Sequence, residues 1–203
     1  MRNSRFIRGI LSAYKYPIFM AVGGGKKDVF ERIQRDASRY LRVKTSELTS
    51  FDVFSCVVTN RNLASIFLAR IRNRFIPWML ARFFFSYNKN IEIIVPVDKI
   101  GPGLVVLHNI GAVIRAKSLG EDVTISQGAT LGAGGDWNDT RQDNIPTIGD
   151  RVLVATNALV IGEVTIEDDA VIGAGAVITK SVQKGEVVVG NPQRVIKNNL
   201  NKL

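Results

Sequence analysis

A step of six runs through the second half of this chain and rules out most folds at once. From Ile148 an aliphatic residue recurs at Val154, Val160, Ile166, Ile172 and Ile178. Four places after each stands a small or β-branched residue: Val152, Ala158, Val164, Ala170, Ala176 and Val182. The same step is readable earlier, through Leu107, Val113, Leu119, Ile125 and Leu131, with Val123 and Ala129 in the accompanying slots. An amphipathic helix repeats at about 3.6 residues and a half-buried strand at 2, so neither gives this pattern. A prism with three flat sides does: each hexad lays one side, points one aliphatic side chain inward and turns a corner beside a small residue. Successive coils then pair as parallel strands about 4.8 Å apart. One coil alone leaves both its edges unpaired, so the stack requires neighbours and capped ends.

The period breaks over residues 133–146 (AGGDWNDTRQDNIP), which are polar and glycine-rich. This stretch should leave the prism as an excursion loop, either beside a binding site or as a tolerated surface insertion. Before residue 90 the character changes. Residues 1–90 carry 17 Lys/Arg against 5 Asp/Glu, while residues 91–203 carry 10 against 13. The first region (1–90) reads as basic and α-helical, with a helix over Asp28 to Val43, caps at Thr49, Ser50 and Asp52, and two helices in 63–87 separated by Pro77. The second region (91–203) is the repeat domain. The whole is therefore mainly β, with an α-helical N-terminal region. A single cysteine, Cys56, fits a reducing compartment. Tyr14, Lys15 and Tyr16 interrupt the basic N-terminal apolar run, which argues against a signal peptide. The stretch Phe75 to Tyr87 is too short to span a bilayer, which takes about 20 apolar residues.

The run LHNIGAVI … LGEDVTISQGATLG … IPTIGDRVLVATNALVIGEVTIEDDAVIGAGAVITKSV … VVVGNPQRVIK resembles the hexapeptide-repeat acyltransferases, in particular their serine acetyltransferase branch. The upstream RNLASIFLARIRNRF is similar to that branch's helical lead-in. The resemblance covers about half the chain. It implies a left-handed parallel β-helix, a homotrimer with active sites in the clefts between prisms, and acetyl-CoA as co-substrate with no metal. It also implies that His108, the only histidine, is the catalytic base. Matching motifs place the CoA arm along Gly132, Ala155, Thr156, Ala174, Thr179, Lys180, Arg194 and Lys197, whose cations suit phosphates.

Two positions depart from the branch. It carries an acidic residue three places before the matching proline (Pro96), where this chain has Ile93, and a histidine where this chain has Ile145. Both help hold the amino-acid substrate in that branch. The expectation is therefore an O-acetyltransferase acting on a sugar, a surface polysaccharide or a lipid-linked glycan precursor. Serine O-acetylation for cysteine biosynthesis is the alternative enzyme.

The chemistry asks for few groups. A neutral imidazole, with a reference pKa of about 6.5, takes the hydroxyl proton and returns it to the leaving thiolate. A backbone N–H meets the oxyanion, worth roughly 3 kcal/mol; the turns Gly132–Ala133 and Ala155–Thr156 both qualify. Glu92 is the candidate to orient the imidazole, with a backbone carbonyl as the other option. Asn109, Arg115, Asp136 and Trp137 are candidates for the acceptor side, and Arg115 with Lys117 suits an anionic acceptor; each is equally readable as solvated surface or as a subunit contact. A zinc carbonic anhydrase of this fold needs three histidines per site and is discarded. A non-catalytic trimeric scaffold that binds an anionic surface remains the rival of another class. No nucleic-acid motif accompanies the positive charge. The basic helices either cap the prism and join trimers, pack on themselves or rest on an anionic membrane, through Arg70, Arg72, Arg74 and Arg82 among aromatics. The expected location is cytoplasmic, with peripheral contact at the inner membrane face as the extension.

Overall fold

A computed structural model describes residues 12–108, 110–135 and 144–198. The chain divides into two compact units, residues 1–89 and 90–203.

The first unit is helical. A short segment, Tyr16–Phe19, runs into a π-turn, Met20–Gly24, followed by α1 (Lys27–Leu41), α2 (Ser50–Thr59), α3 (Arg61–Arg70) and α4 (Phe75–Phe84). Helix α1 is amphipathic, and its Val29, Ile33 and Ala37, four apart, face the core. Thr49 caps α2 in a reciprocal pair with Asp52: the Thr49 hydroxyl oxygen accepts the Asp52 N–H, and the Asp52 carboxylate accepts the Thr49 N–H. Ser50 is the first helical residue instead of a cap, and its hydroxyl pairs with that of Tyr16 at 2.6 Å. Asn62 to Arg70 of α3 are all buried, as expected of a helix that is apolar almost all round. Phe19, Phe54, Phe67 and Phe85 pack edge-on and tilted at the centre. Pro77 does not separate the helices. The break falls at Ile71–Arg74, and Pro77 occupies the first turn of α4, where its missing N–H has no intrahelical partner to lose.

The second unit is the prism. Its strands are β1 (Ile91–Ile94), β2 (Val105–Val106), β3 (Ala112–Arg115), β4 (Ser118–Leu119), β5 (Thr124–Ile125), β6 (Thr130–Gly132), β7 (Thr147–Ile148), β8 (Leu153–Val154), β9 (Leu159–Ile161), β10 (Thr165–Ile166), β11 (Val171–Ile172), β12 (Val177–Ile178), β13 (Glu186–Val189) and β14 (Arg194–Asn198). They form three parallel sheets, one per side: β1-β3-β6-β9-β12, β4-β7-β10 and β2-β5-β8-β11-β13. The antiparallel β14 closes the third sheet. This is the left-handed parallel β-helix. The inward set Leu119, Ile125, Leu131, Ile148, Val154, Val160, Ile166, Ile172 and Ile178 is buried, and so are all eight small or β-branched partners.

The first two hexads are out of step. Leu107 and Val113 stand 37% and 38% exposed, and Val106 and Ile114 fill the core in their place. The cause is local. Val106 pairs with Ile125 and Val113 with Thr130, so six residues (107–112) turn a corner that four (126–129) turn in the coil above. Inward positions therefore stand eight apart across this corner (Val106 to Ile114) and five apart from Ile114 to Leu119, which leaves Leu107 and Val113 each one place off the inward register.

Candidate active site

His108 sits on that enlarged corner, between the third sheet and the first. Its backbone is left-handed (φ 61°) and its side chain is exposed. A left-handed residue turns the chain sharply and throws its side chain away from the column. Two exposed aliphatics flank it, Leu107 and Ile110, the latter 72% exposed. Asn109 lies outside the described residues.

The same edge of the prism is built by stacked corners, one per coil. The Gly128 N–H donates to the Gly111 carbonyl, Asn157 N–H to that of Gln127, and Gly175 N–H to that of Thr156. The Val177 N–H donates to Gly190 on the final corner. His108, Ala155, Thr156 and Ala174 therefore share one edge. With about 4.8 Å per coil, Ala174 lies about 14 Å along the column from His108. Most corner residues between are small (Ser126, Gly128, Ala129, Ala155 and Thr156), and a Cβ built on Gly175 would meet nothing within 4 Å. Such an edge suits an extended pantetheine arm.

Gly132, Thr179 and Lys180 are brought to the other edge of the same sheet, where the first side turns into the second. Gln193 of the closing segment ties this edge in. Its Oε1 accepts the N–H groups of both Thr179 and Lys180 at 2.9 Å, and its Nε2 donates to the Lys180 carbonyl. Sequence reasoning passed over Gln193; a side-chain amide between the proline and arginine of the closing motif was the available signal. Arg194 opens β14, and Lys197 lies further along that strand.

Glu92 lies on the outer face of β1, paired with Val113 of β3, because Ile91 and Ile93 turn inward. Ile93, in the slot where an acid was sought, is buried in the core; the outward acid of this strand is its neighbour. Arg115 ends β3, half-buried, opposite Ile94. Lys117 forms an ion pair with Glu163. Asp136 and Trp137 lie outside the described residues. The foot of the excursion is described and is clasped by Asn144, which sequence reasoning also missed. Its Nδ2 donates to the Gly134 carbonyl at 2.7 Å and its Oδ1 accepts the Glu163 N–H at 2.8 Å. Gly134 packs so tightly on Gly162 that a Cβ would fall 2.8 Å from its Cα. Among the described residues, no group of three His, Cys, Asp or Glu is placed to hold a metal ion.

Residues 145–180 match the family model for the bacterial transferase hexapeptide (six repeats). Among characterised relatives, the serine acetyltransferase of Bacillus pumilus is 36% identical over 154 residues, which cover 72% of this chain and 69% of that protein. The serine acetyltransferase of Helicobacter pylori is 41% identical over 102 residues, covering 50% of this chain and 58% of that one. The chain thus spans a little over half the length of several of these relatives. Among solved structures, the soybean serine acetyltransferase apoenzyme superposes with a TM-score of 0.66 at 21% identity, over 89% of this chain and 74% of that one. A serine acetyltransferase in complex with CoA superposes with a TM-score of 0.57 at 21% identity, with the same coverage. At that identity these two likenesses speak for the fold.

Proposed function

We propose that this chain, which belongs to the serine acetyltransferase family of hexapeptide-repeat transferases, moves an acetyl group from acetyl-CoA to a hydroxyl, and that the hydroxyl is serine's. The observation that carries this reading is the Bacillus pumilus relative, similar over most of both chains. It moves the weight from the glycan acceptor expected first to the serine acceptor held as the alternative.

The residues then take these roles. His108, as neutral imidazole, accepts the proton of the attacking hydroxyl and hands it to the departing thiolate, which leaves as free CoA thiol. The backbone N–H at Ala133 or Thr156 meets the oxyanion as the carbonyl carbon becomes tetrahedral. Thr156 and Ala174 line the pantetheine arm. Lys180, Arg194 and Lys197 serve the phosphates. Glu92 positions the imidazole. The assembly is a homotrimer with its sites between prisms, so one prism supplies the imidazole edge and its neighbour faces it. The location is cytoplasmic, where acetyl-CoA is made; no described helix is long and apolar enough to cross a membrane.

One observation favours a second acceptor. Ile93 is buried and Ile145 half-buried, so neither slot offers the ionic group that a zwitterion such as serine needs. A hydroxyl of a sugar or surface polysaccharide makes no such demand. A thiol-release assay with acetyl-CoA separates the two. CoA release that depends on serine supports the main reading. Release only with sugar or polysaccharide acceptors supports the second, and release with neither overturns both.

A further inference from the structure

Helix α4 carries an apolar face that nothing among the described residues of the helical unit covers. Phe75, Ile76, Met79, Leu80 and Phe83 are all exposed, Phe83 by 83%. At 3.6 residues per turn they occupy one unbroken arc of about 140°, while Ala81 on the opposite side is buried in the helical core. Solitary exposed aliphatics are ordinary; five contiguous large ones mark a surface with a partner.

The charge around the arc says which partner. From Val53 to Ile91 the sequence contains no acidic residue and six cations: Arg61, Arg70, Arg72, Arg74, Arg82 and Lys89. Arg70 is committed to Asp36 inside the core, and Arg74 donates to the Val22 carbonyl. At the margin of the arc, Arg82 is held over the rings of Trp78 at 4.6 Å and Tyr87 at 5.0 Å. Amphipathic aromatics with a guanidinium beside an apolar stripe are the composition that settles at a lipid headgroup boundary. A second copy docked face to face would instead bring together two regions that each hold 17 cations and 5 acids in sequence, which like-charge repulsion opposes.

We propose that α4 docks this protein on an anionic bilayer surface, the arc from Phe75 to Phe83 entering the acyl boundary and Arg82 meeting lipid phosphate. The helix lies in the plane of the interface; at ten residues it is too short to span. The docking adds to the acetyl-transfer reading and does not depend on it, since no α4 residue is assigned a role in catalysis. Arg70 and Arg74, counted from sequence with Arg72 and Arg82 as interfacial cations, are tied within the helical unit instead.

The test is co-sedimentation of the full chain with vesicles of phosphatidylcholine alone and of phosphatidylcholine mixed with phosphatidylglycerol, at low and high salt. Retention by the phosphatidylglycerol vesicles at low salt, falling roughly tenfold or more at high salt, is the expected result. Phe83→Glu and, separately, Leu80→Ser should each lower retention by about tenfold while leaving the circular dichroism spectrum and acetyl-CoA-dependent thiol release unchanged. Failure of the wild type to bind anionic vesicles overturns the proposal without touching the catalytic reading. So does equal retention by both vesicle types. If neither vesicle retains the wild type and Phe83→Glu lowers its sedimenting mass, the arc belongs to a second copy of the chain.

Discussion

Arg70 donates from Nε and Nη2 to the two carboxylate oxygens of Asp36, each at 2.7 Å, with both side chains shut off from solvent. The pair joins α1 to α3 inside the helical core. Removing one member strands the other, so Arg70→Met should cost about 3–5 kcal/mol, read as a lower urea midpoint. Adding Asp36→Leu should recover most of that loss. A single variant as stable as the wild type would mean that the pair contributes nothing the core needs.

His108→Asn should abolish catalysis and keep the corner. Asparagine tolerates the left-handed backbone that His108 adopts (φ 61°), so the substitution isolates the base from the turn. Acetyl transfer should fall by about 10²–10⁴-fold, with the KM for acetyl-CoA unchanged. Retention of about a tenth of the activity would remove His108 from the role of base.

Two glycines separate close approach from backbone conformation. A Cβ on Gly101 would lie 2.3 Å from the Gly120 carbonyl oxygen, on the backbone of the next coil, so Gly101→Ala must push adjacent coils apart. It should lower stability toward the upper end of about 1–3 kcal/mol. Gly175 has open space around it but a φ of 67°, so Gly175→Ala should cost about 1–2 kcal/mol from conformation alone. Equal thermal shifts for the two would contradict the close packing at Gly101.

The surface pair Arg151–Asp169 gives a pH signature. Arg151 Nε donates to Asp169 Oδ1 at 2.6 Å, and this hydrogen bond, with the guanidinium's charge, holds the Asp169 carboxyl below its usual range. A carboxyl with a lowered folded pKa adds stability above its unfolded value, and that stability is lost as pH falls through the folded value. Asp169→Asn should therefore be slightly less stable than wild type at neutral pH and indistinguishable from it well below pH ~4. A difference that is the same at both pH values would assign the effect to shape and not to charge.

The prism was legible because its rule is local and repetitive: inward aliphatics and corner residues from Leu119 onward fall where the hexads put them. The rule failed at Leu107 and Val113, because inward positions run eight apart from Val106 to Ile114 and five apart from Ile114 to Leu119, and a register carried through corners of altered length gives no sign of the change; only pairing with the coil above reveals it. Glu92 illustrates the same limit. Counting back from Pro96 lands on buried Ile93, whereas strand alternation turns Glu92 outward. Asn144 and Gln193 were passed over because each acts across a distance in sequence, closing a loop foot and a corner with amide groups that composition does not distinguish from ordinary surface. The exposed arc of α4 was hidden in its turn, since an apolar run in sequence does not say which of its sides the fold will leave bare.

From Ile148 to Ile178 each turn of the column takes eighteen residues, as the pairings of Ile148 with Ile166 and of Val154 with Ile172 both record, and the closing turn takes sixteen, pairing Ile172 with Val188. The span between the imidazole and the closing segment is thus available only in whole rungs. Deleting one rung would draw the two ends together by about 4.8 Å without disturbing any corner, whereas an insertion of another length would turn later side chains off their face unless a corner absorbs it, as the corner over 107–112 does. On the acetyl-transfer reading, the acyl donor is measured with a ruler whose marks are whole turns of the column.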